Sequence, residues 1–273
     1  MVWLLQMKLP YHHDYDEQHT ELCERVLLSV WRWLDDYHDE LVLIGGMVPR
    51  YLSEQNRGVV AAIDDTYLPP RTMDVDVGIA LGAGGKLGEP ISARLRHHDF
   101  VNVDRTGRFT KSIKGLGVHV DFLAEKEDPD GGDATMVDDV VAQAVLGIER
   151  ALAGAITVRV TGLDLDDQKT TQEIRIADAG PFICLKLQAY ADPHRHAGKD
   201  VFDVVRTVVD YKPGFTEALQ SFRSEQGRNP ARVGAIRCLQ DHFGAQECLR
   251  VLHHAADTRQ LAVKIFDVGQ RTT

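Results

Sequence analysis

Across residues 14–37 the apolar positions Leu22, Val26, Leu27, Val30, Trp31 and Leu34 recur at intervals of three and four. That period predicts an amphipathic helix that packs along one face. The next apolar run, 41–44, is short, continuous and closed by Gly45-Gly46, the pattern of a buried strand ending in a tight turn, and 47–52 reads as a short helix. Residues 54–70 carry Asn56, Gly58, Asp64-Asp65 and Pro69-Pro70 and read as a long loop. A strand over 73–81, a glycine-rich loop over 82–88 and a helix over 90–97 follow. Residues 100–123 are strand-rich, with turns at Arg105-Thr106-Gly107 and Lys114-Gly115.

After a polar loop at 128–133, the pattern predicts a helix over 137–152 and two strands over 156–160 and 173–176. From Pro181 onward strand and turn signals thin out and helical periodicity takes over. The fold class is therefore α+β: a mixed sheet with flanking helices over 1–180, followed by a C-terminal helical bundle over 181–273. No internal repeat argues for a solenoid.

Composition adds a few bounds. The chain is 44% hydrophobic and 26% charged, which is the balance of an ordinary globular protein. No apolar run approaches the roughly 20 residues needed to cross a bilayer, and Met1-Val2-Trp3-Leu4-Leu5 lacks a basic leader region, so a cytoplasmic protein with no membrane partner is expected. Cys23, Cys184, Cys238 and Cys248 form no CxxC pair and suggest reduced thiols. The net charge of -10 argues against indiscriminate nucleic-acid binding. Between Arg94 and Lys114, however, Arg94, Arg96, Arg105, Arg108, Lys111 and Lys114 face only Asp99 and Asp104. That stretch suits a polyanion, or it is a solvated hairpin with charged tips.

Candidate chemistry centres on Arg71-Thr72-Met73-Asp74-Val75-Asp76-Val77-Gly78-Ile79. Strand alternation puts Asp74, Asp76 and Gly78 on one side and Met73, Val75, Val77 and Ile79 on the other. Two carboxylates on one face repel unless a cation lies between them, although an isolated DxD also fits an edge strand with a solvated face. A second strand, Val118-His119-Val120-Asp121-Phe122-Leu123, offers a third carboxylate opposite its apolar side. Three aspartates supply oxygen ligands for two hard cations with room for phosphate oxygens and water. Upstream, Gly45 and Gly46 at a strand-to-helix turn let backbone N–H groups approach a triphosphate. Other motifs fail: 82–88 lacks the Ser or Thr of a P-loop, the histidine pairs form no H-E-x-x-H, and there is no G-x-S-x-G.

Taken together, these residues resemble the nucleotidyltransferase superfamily, and within it the AbiEii/AbiGii-type toxins of bacterial abortive-infection and toxin–antitoxin systems. Leu43-Ile44-Gly45-Gly46-Met47-Val48-Pro49-Arg50-Tyr51-Leu52 is similar to the family's glycine motif and following helix. Arg71-Thr72-Met73-Asp74-Val75-Asp76 resembles its R-x-x-D-x-D strand, and His119-Val120-Asp121 its third acidic strand. Lys186-Leu187-Gln188-Ala189 followed by Lys199-Asp200-Val201-Phe202-Asp203 is similar to its lysine helix and [KR]D-x-x-D helix. The spacing from Gly46 to Asp74 is longer than usual in the family, and glycine stands where many members have serine, so the choice of nucleotide stays open.

The resemblance implies a nucleotidyltransferase-type sheet in which Asp74, Asp76 and Asp121 hold two magnesium ions, or manganese in their place. It implies nucleotide contacts at Gly45, Gly46, Arg71, Thr72, Lys186 and Lys199, and a functional carboxylate at Asp203. Lys199 and Asp203, four apart on a helix, also read as a surface ion pair. The implied partners are a nucleoside triphosphate, an RNA acceptor, tRNA first, and a cognate antitoxin. An aminoglycoside-like small acceptor suits an acidic protein, and a non-catalytic nucleotide-binding module is the third reading.

Overall fold

In a computed structural model the described residues are 15–53, 70–83, 88–102, 107–128, 130–192 and 197–242. The expected loop over 54–69, the middle of the glycine-rich loop, the turn at Arg105-Thr106 and the tail from residue 243 lie outside them. The chain divides into two compact units. One comprises 16–48 and 71–178; the other gathers, among the described residues, Tyr15, 49–53, Pro70 and 179–242.

The first unit is a mixed eight-stranded sheet. Its strands are β1 (Leu41–Ile44), β2 (Asp74–Ile79), β3 (Arg108–Ile113), β4 (Leu116–Glu125), β5 (Ala134–Val137), β6 (Val140–Val145), β7 (Ile156–Leu163) and β8 (Lys169–Ile176). They lie in the order β5-β6-β4-β2-β1-β8-β7, with β3 paired to β4. β2 runs antiparallel to β1 and parallel to β4, while β3 and β4 form a hairpin around Lys114-Gly115. The apolar halves of the alternation form the core: Val75, Val77, Ile79, Val118, Val120 and Phe122 have no solvent exposure. Burying such side chains contributes about 1.5–3 kcal/mol each.

Helix α1 (Glu17–Trp33) packs across β2, β4, β7 and β8. Asp16 caps it by accepting the Gln18 N–H, and its buried stripe includes Cys23, Val26, Leu27, Val30 and Trp31. The Trp31 indole N–H donates to the Glu173 carbonyl at 3.1 Å, fixing the helix to β8. A six-residue 3-10 helix, Asp35–Glu40, then leads into β1. The short helices α2 (Val48–Leu52), which from Pro49 onward belongs to the second unit, and α3 (Ile91–His97) fall where the sequence places them.

The expected helix over 137–152 is a correction. That stretch forms β6 and then a short helix, α4 (Ile148–Ala153), while Val137 ends β5. Its apolar residues recur at three and four, which mimics a helix, yet Val137, Val140, Val141 and Val145 are β-branched and stiff at χ1. Asp138 sits at φ 54°, in the two-residue turn that pairs Val137 with Val140. The two later strands are also longer than expected and form a single hairpin, β7–β8.

The second unit contains α5 (Ala179–Ala191), α6 (Gly198–Asp210), α7 (Phe215–Ser224) and α8 (Ala231–His242). α5 packs against the other three. Gly180 allows α5 to approach α7 closely, since a Cβ there would lie 2.5 Å from the Ser221 carbonyl oxygen. Among the described residues no helix is long and apolar enough to cross a membrane.

Gly107 is where β3, β4 and β6 converge. Its carbonyl accepts the Phe122 N–H at 2.8 Å, and a Cβ would lie 2.5 Å from the Phe122 oxygen and 2.9 Å from the Val141 oxygen. Backbone cannot give way as a flexible side chain can. Gly107→Ala is expected to destabilise the protein by about 2 kcal/mol in chemical denaturation.

Candidate metal centre

The parallel register of β2 and β4 sets Asp74 beside His119 and Asp76 beside Asp121. Each aspartate lies opposite its strand's apolar side, so the three side chains emerge together. Ligand oxygens of Asp74, Asp76 and Asp121 all lie within 4.8 Å of one another. The acidic face is not open, as an isolated strand would suggest: Asp74 is 9% and Asp76 8% exposed. Farther along the same face Gly78 is covered, its Cβ position lying 2.9 Å from Val42 Cγ1 and 3.1 Å from Ile148 Cγ2.

Neighbouring residues hold each carboxylate differently. The Thr72 hydroxyl donates to Asp74 Oδ1 at 2.7 Å, and the Thr72 N–H donates to the Thr20 hydroxyl of α1 at 3.0 Å. Asp76 packs against the Gly45 backbone. Gly45 has φ +75°, and a Cβ there would lie 1.8 Å from Asp76 Oδ2. The glycine thus makes room for a carboxylate, a role the motif reading assigned to phosphate approach. Asp121 receives two hydrogen bonds from Arg108, which stands directly across the β3–β4 hairpin: Nε to Oδ1 at 2.7 Å and Nη2 to Oδ2 at 2.6 Å. Asp121 raises the Arg108 pKa above its ordinary value, with smaller contributions from Asp74 and Asp76.

The surroundings reflect the same charges. Burial, then Asp74 and Asp76, push the Cys23 thiol well up, so it stays protonated. Burial, then Arg108, lower the His119 pKa, and its Nδ1 lies 3.0 Å from the Thr110 hydroxyl. Three carboxylates with one guanidinium leave net negative charge among hard oxygen donors, a set that could hold a metal ion.

Arg108 is the residue sequence reasoning missed as part of this cluster. Counting outward from the two-residue turn at Lys114-Gly115 leads to the Arg108–Asp121 pair, so the signal was present. Other members of the basic stretch are also tied locally. Arg94 pairs with Asp36 and, at 3.5 Å, with Asp35, and Lys111 donates to the His98 carbonyl at 2.7 Å. Outside that stretch, Arg71, expected at the nucleotide, pairs with Glu17 at 3.3 Å. Arg96 and Lys114 are exposed.

The remaining predicted site residues come together in the helical unit. Lys186 Nζ lies 2.9 Å from Asp200 Oδ1 and 2.8 Å from Asp203 Oδ2, and Lys199 Nζ lies 2.7 Å from Asp203 Oδ2. Lys199 and Asp203 are an i,i+4 pair, yet they are buried rather than on the surface, at 4% and 0% exposure. Burial lowers the Lys199 pKa, opposed chiefly by Asp203. Lys199 also lies 5.1 Å from the Tyr15 ring centroid.

Comparison with protein-family models, with curated proteins and with solved structures finds no match.

Two substitutions probe these clusters. Gly45→Ala drives a Cβ into the Asp76 carboxylate at a positive φ, so it should cost about 2–3 kcal/mol of stability and weaken manganese binding in calorimetry. Lys186→Met leaves buried carboxylates under-compensated and should cost about 3 kcal/mol by denaturant titration, independent of any ligand.

Proposed function

We propose that this chain is a magnesium-dependent nucleotidyltransferase of the AbiEii/AbiGii type, moving a nucleoside monophosphate from a triphosphate to an acceptor hydroxyl. The observation that carries the reading is the meeting of Asp74, Asp76 and Asp121 within 4.8 Å on adjacent parallel strands. These residues would hold magnesium, or manganese, as two ions. When bound, such ions lower the pKa of the acceptor hydroxyl and neutralise charge on the leaving pyrophosphate. The acceptor hydroxyl gives up its proton to solvent and its oxygen bonds to the α-phosphorus, as the bond from that phosphorus to the α–β bridging oxygen breaks and pyrophosphate leaves.

The chain's own contribution is positioning. Thr72 holds Asp74 and Gly45 admits Asp76, so these two need little reorganisation for the reaction itself, whereas Asp121 starts paired with Arg108. By resemblance, Gly46, Lys186 and Lys199 serve the nucleotide phosphates and Asp203 is a functional carboxylate. That role requires each ammonium to exchange an aspartate partner for a phosphate oxygen.

RNA, tRNA first, is the acceptor class this reading favours, with the protein acting in the cytoplasm as a toxin restrained by a cognate antitoxin. A specific observation favours a second acceptor: Arg94, Arg108 and Lys111 are engaged with local oxygens in a chain of net charge -10, which suits a cationic aminoglycoside-like molecule.

The test supplies magnesium, each of four labelled triphosphates, and tRNA or aminoglycosides as acceptor. Wild type should transfer label, and Asp76→Asn should reduce transfer by about a hundredfold or more, since the amide keeps size but loses the anionic ligand. Its metal-free melting temperature should be unchanged or higher, because repulsion among carboxylates falls. Transfer by Asp76→Asn at the wild-type rate removes the carboxylates from the chemistry. A wild type inert toward every acceptor leaves the non-catalytic nucleotide-binding module as the better reading.

A further inference from the structure

Arg108 spans both oxygens of Asp121, at 2.7 and 2.6 Å, and it reaches them from the strand directly opposite rather than from a loop. The pair is fixed by the hairpin register: β3 and β4 are continuous from Ile113–Leu116 at the turn out to Arg108–Asp121. A bidentate guanidinium uses the lone pairs best placed for a metal on that carboxylate. It also places a permanent positive charge beside Asp74 and Asp76, which raise its pKa in turn. Its side chain is 34% exposed against 15% for Asp121, so the guanidinium is the more solvent-accessible member of the pair.

We infer that Arg108 is the resident counter-ion of this centre, competing with a divalent cation for Asp121 and thereby setting the concentration at which the metal loads. The inference rests on the metal-centre reading above and adds a positioning residue to it. Without Arg108 the three carboxylates would repel at short range in the metal-free protein; with it, the fold is stabilised but a cation must displace or share the guanidinium. The arginine therefore trades metal affinity for metal-free stability.

The test measures binding of Mn2+ alone, by calorimetry and by electron paramagnetic resonance of free Mn2+, together with melting temperature. Arg108→Gln should bind Mn2+ at least about tenfold more tightly than wild type, the size expected for removing one unit charge roughly 6 Å from a divalent ion at full water screening and so the lower bound for a partly buried site. Its metal-free melting temperature should fall, and saturating Mn2+ should raise it by more than in wild type. Arg108→Lys keeps the charge but loses the two-pronged contact, so it should lie between the two and serves if the glutamine variant does not fold. A merely structural arginine would lower the melting temperature without tightening Mn2+. Binding by Arg108→Gln equal to or weaker than wild type overturns the inference and leaves the metal centre standing. Failure of all three proteins to bind Mn2+ removes the centre and the inference together.

Discussion

Carboxylates do not gather without compensation, and the sheet unit depends on how that repulsion is contained. Two fully ionised groups about 5 Å apart repel by roughly 3 kcal/mol at an effective dielectric of about 20. Asp74, Asp76 and Asp121 present three such pairings within 4.8 Å. Containment comes from both sides of the strands. Behind them, Val75, Val77, Val120 and Phe122 are fully buried, so neither strand can turn its aspartates outward without exposing core. In front, Thr72 and Arg108 donate to Asp74 and Asp121. The backbone of Gly45 closes on Asp76, leaving no room for a side chain there.

Much of this centre was legible because it depends on local alternation. A period of two assigns faces within a strand from sequence alone, and both acidic strands obeyed it. The parallel pairing of β2 with β4 was not legible, since their register is set by packing between residues more than forty positions apart. The Arg108–Asp121 pair lies between these cases. Its hairpin has a two-residue turn, so register follows from counting, yet charge composition drew attention to the whole basic stretch instead. The error at 137–152 has a different origin. Valines spaced at three and four satisfy the helical period and also alternate partly as strand, and the turn at Asp138 decides between them.

The helical unit shows where patterning by polarity stops informing. On α6, Val201, Val204, Val205 and Val208 are buried as an amphipathic helix predicts, but so are Lys199, Asp200, Asp203, Arg206 and Asp210. Each of these charges has an opposite partner, among them Arg206 with Asp210 at 3.0 Å. Desolvation and pairing oppose one another, which is why burial lowers the Lys199 pKa while Asp203 holds it up. Sequence gives the i,i+4 spacing of such pairs. It does not say whether a second layer of protein covers them.

The two charged clusters share a rule but differ in their residual charge. Lys186 and Lys199 against Asp200 and Asp203 are two cations and two anions, so the group exerts little net pull on a ligand of either sign. Any phosphate bound there must replace a carboxylate, and its affinity is the difference between two similar interactions. The sheet cluster holds three carboxylates against one guanidinium and keeps a net attraction for cations. A cation arriving there meets an existing partner on Asp121, while the Asp74 and Asp76 carboxylates supply the excess charge. An anion arriving at the first cluster therefore has to exchange with a partner already in place, whereas at the second the excess of carboxylates attracts positive charge.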